Sequence, residues 1–197
     1  MTHFTIIGCG HTGSQIAFSL VLTEDNFSLD LIDTDKKKLY GEMADLKQAS
    51  EVLHKNIKIE SAEEPRESDF YIISCGKSGN DRESLFKENR VIILPYLAMI
   101  SRARKEDSWV MMVTNPSGRL SQLALDYIPL VIPIGNRLDN ARLRLCQVNA
   151  SHEKPNIQMK YYEVAVNKGY TAFGVTAEVI QLLKYSIGLN SLGFRMG

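Results

Sequence analysis

The chain has 197 residues, of which 44% are hydrophobic and 23% are charged, and its formal net charge is zero. This length and composition are ordinary for a soluble globular protein of one domain, or of one domain and a fragment. The balanced charge argues against nucleic acid or an anionic membrane as a partner.

Cysteine and histidine usage limits the chemistry further. The three cysteines are Cys9, Cys75 and Cys146, and the four histidines are scattered. An odd number of cysteines, without the spacing pattern of a disulfide framework, predicts free thiols in a reducing cytoplasm. No spacing fits a metal site, so no metal is expected. The longest apolar run, at residues 91–100, is too short for a bilayer span, and the first strand begins too early for a signal peptide.

The first 33 residues carry the most informative pattern of the chain. Residues 3–7 are predicted to form a strand, residues 14–22 an amphipathic helix and residues 28–32 a second strand, which ends at Asp33. The turn between the first strand and the helix is a G-x-G-x-x-G motif. The predicted cofactor-binding residues of this turn are Gly8, Gly10, His11, Thr12 and Gly13.

Each part of this motif has a physical reason in dinucleotide binding. Gly8 permits a tight turn, Gly10 lets the backbone approach a pyrophosphate, and Gly13 lets the helix and strand pack closely. The helix N-terminus offers N–H groups and a positive dipole end to the phosphates. Asp33 can accept hydrogen bonds from a ribose diol and would repel a 2′-phosphate, which favours NAD over NADP. The alternatives are a glycine turn without a ligand and a solvated acid.

Strand-like and helix-like runs alternate through the rest of the chain. Further strands are predicted at residues 56–60, 70–73, 109–113 and 130–132, and helices at residues 36–48, 82–104, 116–126, 138–148 and 161–187. Pro95 is expected to kink or split its helix, and residues 188–197 to fray. The alternation predicts an α/β fold with a doubly wound parallel sheet of about six strands. Such a sheet binds ligands at the carboxyl ends of its strands, where Gly76 is also predicted to lie.

Several segments, in order, resemble the L-lactate/malate dehydrogenase family, including its L-2-hydroxyisocaproate branch. They are residues 8–13, Asp33 with residues 41–42, and residues 68–76, 81–89, 114–116, 135–144 and 168–171. The most specific are LDNAR at residues 138–142 and KGYT at residues 168–171. The resemblance implies a Rossmann-type NAD-binding domain over residues 1–136. Residues 137–197 would be a mainly helical remnant of the family's substrate domain.

The resemblance also implies roles for residues around a small 2-keto or 2-hydroxy acid. Arg82 resembles the arginine of the mobile active-site loop, which polarises the substrate carbonyl. Asn115 resembles the asparagine that contacts nicotinamide and substrate. Thr171 resembles a residue that lines the substrate pocket, and Val175 one that packs on the nicotinamide. The alternatives are a solvated arginine, an Asn-Pro helix start and ordinary helix packing.

Two residues of the LDNAR segment complete the implied catalytic set. Arg142 resembles the arginine that grips the substrate carboxylate bidentately, and Asp139 the acid that orients the catalytic histidine. An exposed ion pair is the alternative for both. The family's G-E-H-G segment, which carries that histidine, is missing, and the only histidine after Asp139 is His152. The spacing and neighbours of His152 do not match, so an exposed loop histidine is expected there.

Two functions therefore stay open. The first is an NAD-dependent oxidoreductase that transfers a hydride between NAD(H) and a small 2-hydroxy/2-keto acid, with reduced activity or with a partner subunit that completes it. The second is a non-catalytic NAD-binding remnant, or a regulatory or heteromeric partner of a full-length dehydrogenase. It follows from the missing histidine segment and from an expected internal deletion and C-terminal truncation relative to the family. Either could form a homo-oligomer, and a cytoplasmic location is expected.

Overall fold

The computed structural model of the chain describes residues 1–79, 81–135, 167–168 and 170–191, with only the helix backbone described from residue 186 onward. The chain divides into two compact units, Met1–Ile134 and Gly135–Gly197. The helix predicted at residues 138–148 and the loop predicted at residues 150–156 lie outside the described residues.

The first unit is built on a sheet of six parallel strands. The strands are β1 (Thr2–Ile7), β2 (Asn26–Ile32), β3 (Asn56–Ser61), β4 (Phe70–Ile73), β5 (Trp109–Met112) and β6 (Val131–Pro133). Their order across the sheet is β3-β2-β1-β4-β5-β6, and every neighbouring pair is parallel. The predicted doubly wound parallel sheet is confirmed. The chain reverses its direction of travel across the sheet between β1 and β4, so the switch point lies there.

Helices connect the strands and cover the sheet. They are α1 (His11–Thr23), α2 (Lys36–Val52), α3 (Arg82–Ala103) and α4 (Ser117–Ala124), and the second unit contains α5 (Phe173–Ser191). Asp35 caps α2 by accepting hydrogen bonds from the backbone N–H groups of Lys37 and Lys38. Asp81 caps α3 in the same way through Glu83 and Ser84. An aspartate before each helix thus fixes where that helix begins.

The core of the first unit lies along the central strands. All four residues of β4 are buried, as are the last four of β1. Phe4 packs edge-on against Phe27 and stacks on Phe70, with ring centroids 5.4 Å apart in both pairs. Burying an aromatic or aliphatic side chain of this size stabilises the fold by about 1.5–3 kcal/mol. The continuous apolar run at β4 is therefore a central strand, as the sequence predicted.

Several helices differ from the sequence prediction in where they begin, end or break. α1 begins at His11 rather than at residue 14, because the glycine turn is short enough for the helix to start inside the motif. α3 is continuous through Pro95 and is not split. Val91, whose carbonyl would receive the missing N–H of Pro95, is 70% exposed, so water can satisfy that carbonyl. Within the helix predicted at residues 161–187, residues 170–172 are not helical, so α5 begins only at Phe173; it extends to Ser191, beyond the expected start of fraying.

A buried ion-pair network ties β2 to its neighbours. Asp30 is only 2% exposed and accepts hydrogen bonds from Arg66 Nε and Nη2 at 2.7 and 2.5 Å. His3 Nε2 lies 3.1 Å from the same carboxylate, and Arg66 also contacts Glu60 at 3.2 Å. Burial raises the pKa of Asp30, but the hydrogen bonds from His3 and Arg66 outweigh it, so the pKa lies below its usual value. Paired in this way, the buried charge is tolerated.

Candidate functional site

The turn between β1 and α1 requires glycine at its first position. Gly8 has φ +98°, a left-handed conformation that side chains rarely adopt. A Cβ at this position would also stand 2.5 Å from the Cα of Cys75. Any other residue would therefore push the loop after β4 away from the loop after β1.

The two other glycines of the motif have opposite surroundings. A Cβ on Gly13 would overlap the carbonyl oxygen of Gly8 and stand 2.7 Å from Ser74 Oγ, so α1 packs directly on the loop. A Cβ on Gly10 would meet nothing within 4 Å in the part of the chain that the structure describes. Gly10 is the N-cap residue of α1 and makes no side-chain cap. The molecule thus leaves open space at a helix N-terminus, where a phosphate group would fit.

The carboxylate of Asp33 is fixed beside this turn. Its Oδ2 accepts a hydrogen bond from the backbone N–H of Cys9 at 2.7 Å, and its Oδ1 accepts one from the N–H of Asp35 at 2.9 Å. Each carboxylate oxygen can accept a second hydrogen bond. Asp33 can therefore hold the glycine turn in place and still bind a ribose diol.

The loops after β4 and β5 lie on the other side of the switch point. A Cβ on Gly76 would stand 2.6 Å from Thr114 Cγ2, so the loops pack closely. Thr114 Oγ1 donates a hydrogen bond to the Cys75 carbonyl at 2.6 Å. Asn115 follows Thr114, and its side chain is exposed at the same edge. The sequence-predicted Gly76 and Asn115 are thus brought together at the carboxyl ends of β4 and β5.

Asn89 joins these two loops and was given no role by the sequence interpretation. It is fully buried on α3. Its Oδ1 accepts a hydrogen bond from the Lys77 N–H at 2.7 Å, and its Nδ2 donates to the carbonyls of Lys77 and Asn115 at 3.0 and 2.7 Å. The available signal was its position, four residues after Leu85 and four before Ile93, on the apolar face of the helix.

Arg82 is the first residue of α3, and its side chain is exposed. The next turn of the helix is tied to α4. Arg119 Nη1 donates a hydrogen bond to Glu83 Oε2 at 2.6 Å, and the Arg119 guanidinium lies 3.9 Å from the ring centroid of Phe86. These contacts fix the helix end that carries Arg82, while the preceding loop carries no regular structure in its described residues.

The cysteines of this region are not suited to covalent chemistry. Burial, followed by the charge of Asp33, raises the pKa of Cys9 to about 12. Burial likewise raises the pKa of Cys75 to about 12. Both groups are therefore neutral thiols at neutral pH, whereas a nucleophilic cysteine needs to be a thiolate.

The remaining predicted residues belong to the second unit. Val175 lies in the first turn of α5 and is 7% exposed, and Thr171 lies just before that helix. The ammonium of Lys168 stands 3.6 Å from the ring centroid of Phe173. Asp139, Arg142 and His152 lie outside the described residues, so their predicted roles stay predictions.

The described residues contain neither a metal-binding group of side chains nor a membrane-spanning helix. None of the groupings of His, Cys, Asp and Glu in this part of the chain could hold a metal ion. None of its helices is long and apolar enough to cross a membrane.

The chain matches the family model of the lactate/malate dehydrogenase NAD-binding domain over residues 2–128. It is 34% identical to an L-lactate dehydrogenase of Fervidobacterium nodosum over 72% of this chain and 48% of that protein. It is 29% identical to a probable malate dehydrogenase of Campylobacter jejuni over 71% of this chain and 50% of that protein. The chain thus spans about half the length of the curated relatives that it matches.

The fold is also that of a solved malate dehydrogenase. The structure of the Archaeoglobus fulgidus enzyme in complex with NADH aligns with a TM-score of 0.78 and 21% identity, over 95% of this chain and 78% of that one. At this identity the likeness supports the fold alone. The match of the family model over residues 2–128 shows that the chain belongs to the lactate/malate dehydrogenase family and carries the family's NAD-binding domain.

Proposed function

We propose that this chain is an NAD-dependent oxidoreductase that acts on a small 2-hydroxy/2-keto acid. The observation that carries the proposal is the open space at Gly10 beside the fixed carboxylate of Asp33. A diphosphate can approach the N-terminus of α1 there, and the carboxylate can accept hydrogen bonds from the adenosine ribose. The negative charge of Asp33 disfavours a 2′-phosphate, so NAD is preferred over NADP.

The nicotinamide half of the cofactor would lie over the loops after β4 and β5. Bound NADH supplies a hydride to the keto carbon of the substrate. Asn115 would orient the nicotinamide and the substrate, and Val175 would pack on the ring. Residues 1–136 form the cofactor domain in this proposal, and residues 137–197 contribute to the substrate side.

The chain's own charged residues would bind and polarise the acid. Arg142 would hold its carboxylate through two parallel hydrogen bonds. Arg82 would stabilise the negative charge that develops on the carbonyl oxygen. Thr171 would line the pocket, and Asp139 would orient the group that donates the proton. The sequence contains no G-E-H-G segment, so the proposal does not assign the proton donor to a residue of this chain.

The missing G-E-H-G segment favours a second candidate, a protein that binds NAD(H) without catalysing turnover. A positioned general acid accelerates such reactions by about a hundredfold to ten-thousandfold. A chain that lacks one would keep its cofactor affinity and lose most of its rate. A regulatory or heteromeric partner of a longer dehydrogenase has the same biochemical signature.

The oxidation of NADH in the presence of pyruvate, oxaloacetate or 2-ketoisocaproate separates the two candidates. The enzyme proposal predicts turnover that is lost in Arg142→Ala and Arg82→Ala. It also predicts that turnover persists in Arg144→Ala and Arg90→Ala, which remove nearby arginines without an assigned role. Saturable NADH binding without turnover of any of the three acids would refute the enzyme proposal and support the second candidate.

A further inference from the structure

The side-chain amide of Asn89 makes three hydrogen bonds, and all of them are to main-chain atoms of two loops. Its amide oxygen accepts from the Lys77 N–H at 2.7 Å. Its amide nitrogen donates to the Lys77 carbonyl at 3.0 Å and to the Asn115 carbonyl at 2.7 Å. Lys77 is therefore held at both its backbone donor and its acceptor, much as a neighbouring strand would hold it.

These contacts cross-link segments that are far apart in the sequence. Lys77 lies in the loop after β4, and Asn115 lies in the short segment between β5 and α4. The close packing around Gly76 belongs to the same arrangement, since a Cβ there would stand 2.8 Å from Asn89 Oδ1. A displacement of the amide would therefore move both loops.

Stability alone does not call for a polar residue at this position. Asn89 lies on the apolar face of α3, between Leu85 and Ile93, which are 8% and 0% exposed. A buried amide must be desolvated, and its hydrogen bonds return only a modest net stabilisation. An apolar side chain would pack on this face without that desolvation cost, but the backbone groups of Lys77 and Asn115 would then lose their partner. The amide is therefore best explained by the loop geometry that it imposes.

The location of the two loops indicates which part of a bound dinucleotide they would contact. A dinucleotide crosses a doubly wound sheet at its switch point, here between β1 and β4. Asp33 lies at the end of β2, on the half that takes the adenosine. The loops held by Asn89 lie on the opposite half, where the nicotinamide nucleoside would be bound.

We propose that Asn89 is a positioning residue for the nicotinamide half of the cofactor. It acts by holding the backbones of Lys77 and Asn115, and because it is fully buried it does not touch the cofactor. This inference rests on the proposed NAD(H) site. It assigns to Asn89 a function that is separable from the binding of the adenosine and diphosphate groups.

Calorimetric titration of the full chain with NADH and with ADP tests this assignment, because ADP lacks both the nicotinamide ring and the ribose that carries it. Asn89→Leu removes all three hydrogen bonds, and Asn89→Asp keeps the acceptor but removes both donations. Both variants are expected to lose about tenfold or more in NADH affinity through misplaced loops. Their ADP affinity should stay within about twofold of the wild type, because that ligand is bound at independent positions.

Ser108→Ala is the matched control. Ser108 is also fully buried, and its hydroxyl donates to the Ser68 carbonyl at 2.6 Å, but it precedes β5 at the opposite edge of the sheet. Its substitution should leave the ratio of the two affinities unchanged. If Asn89→Leu fails to fold, Asn89→Asp alone decides the question.

The outcomes separate this inference from the proposed function. Equal loss of both affinities, or no loss of either, would overturn the role of Asn89 and leave the NAD(H) site intact. A wild-type chain that binds neither ligand would overturn both proposals. Loss confined to NADH supports the positioning role, which a merely stabilising residue would not reproduce.

Discussion

At the glycine turn, the space around single atoms determines what the backbone can approach. A Cβ on Gly13 would overlap a carbonyl oxygen of the protein, whereas a Cβ on Gly10 would enter open space. Gly13 is therefore required by the fold, whereas Gly10 is not, and the space at Gly10 suits the proposed phosphate site. Asp33 adds a carboxylate that is already oriented by two backbone N–H groups, so little ordering is needed when a ribose binds.

Alanine substitution of these two glycines should give opposite results. Gly13→Ala is expected to lower the free energy of unfolding by about 1–3 kcal/mol or to prevent folding, because the helix must move away from the turn. Gly10→Ala should fold and lose most of its NADH affinity, because its new methyl group occupies the phosphate space. Urea denaturation and NADH titration measure the two effects. Similar behaviour of the two variants would contradict this division of roles.

The charge of Asp33 is expected to set the cofactor preference. Asp33→Asn removes the repulsion of a 2′-phosphate and one of the two hydrogen-bond acceptors of the side chain. NADH affinity should fall about tenfold, as for a lost hydrogen bond to a charged group, and the preference for NADH over NADPH should shrink. Fluorescence titration with both cofactors checks this. An unchanged preference would mean that Asp33 does not face the ribose.

Asp30 should make the stability of the fold depend on pH in the acid range. Its pKa is lowered in the folded chain because hydrogen bonds from His3 and Arg66 outweigh its burial. Its ionised form therefore stabilises the fold above the unfolded pKa of about 3.9, and this stabilisation is lost as the pH falls through the folded pKa. Asp30→Asn, which cannot ionise, should show a flatter decline below about pH 4 in urea denaturation. Parallel curves for the two proteins would contradict this assignment.

Among the elements, α3 connects most of the site. It presents Arg82 at its first residue, holds two loops through Asn89 and passes through Pro95 without a break. Phe86 and Ile92 of this helix are apolar but only half-buried. The buried positions are Leu85, Asn89, Ile93, Leu97 and Ile100. The sequence does not show this helical period clearly, because residues 91–94 are all apolar and because the buried Asn89 is polar.

Pro95 is expected to destabilise α3, and alanine at the same position is expected to remove this destabilisation. The ring lacks the N–H that would bond to the Val91 carbonyl, and proline is about 3 kcal/mol less favourable than alanine in a helix interior. Pro95→Ala is therefore expected to raise the free energy of unfolding by up to about that amount. Val91→Ala on the exposed face of the same helix should change it by less than about 0.5 kcal/mol. A destabilised Pro95→Ala variant would show that the proline shapes the helix for packing.

Across the whole molecule, local patterns were readable from the sequence and long-range contacts were not. The apolar run of β4 and the glycine turn are contiguous, so their periodicity and spacing predicted the sheet and the cofactor edge. The bond from the Cys9 N–H to Asp33 spans 24 residues, and that from Asn89 to Asn115 spans 26. Such contacts depend on strand order, which periodicity does not encode.

The central claim is that this chain binds NAD(H) at the edge formed by the glycine turn and Asp33. Calorimetric titration of the full chain with NADH tests it most directly, with Gly10→Ala as the variant and circular dichroism as the check on folding. Saturable binding of about one NADH per chain, tighter than about 1 mM and lost in Gly10→Ala, is the predicted result. A folded wild-type chain that shows no saturable NADH binding in that range would contradict the account.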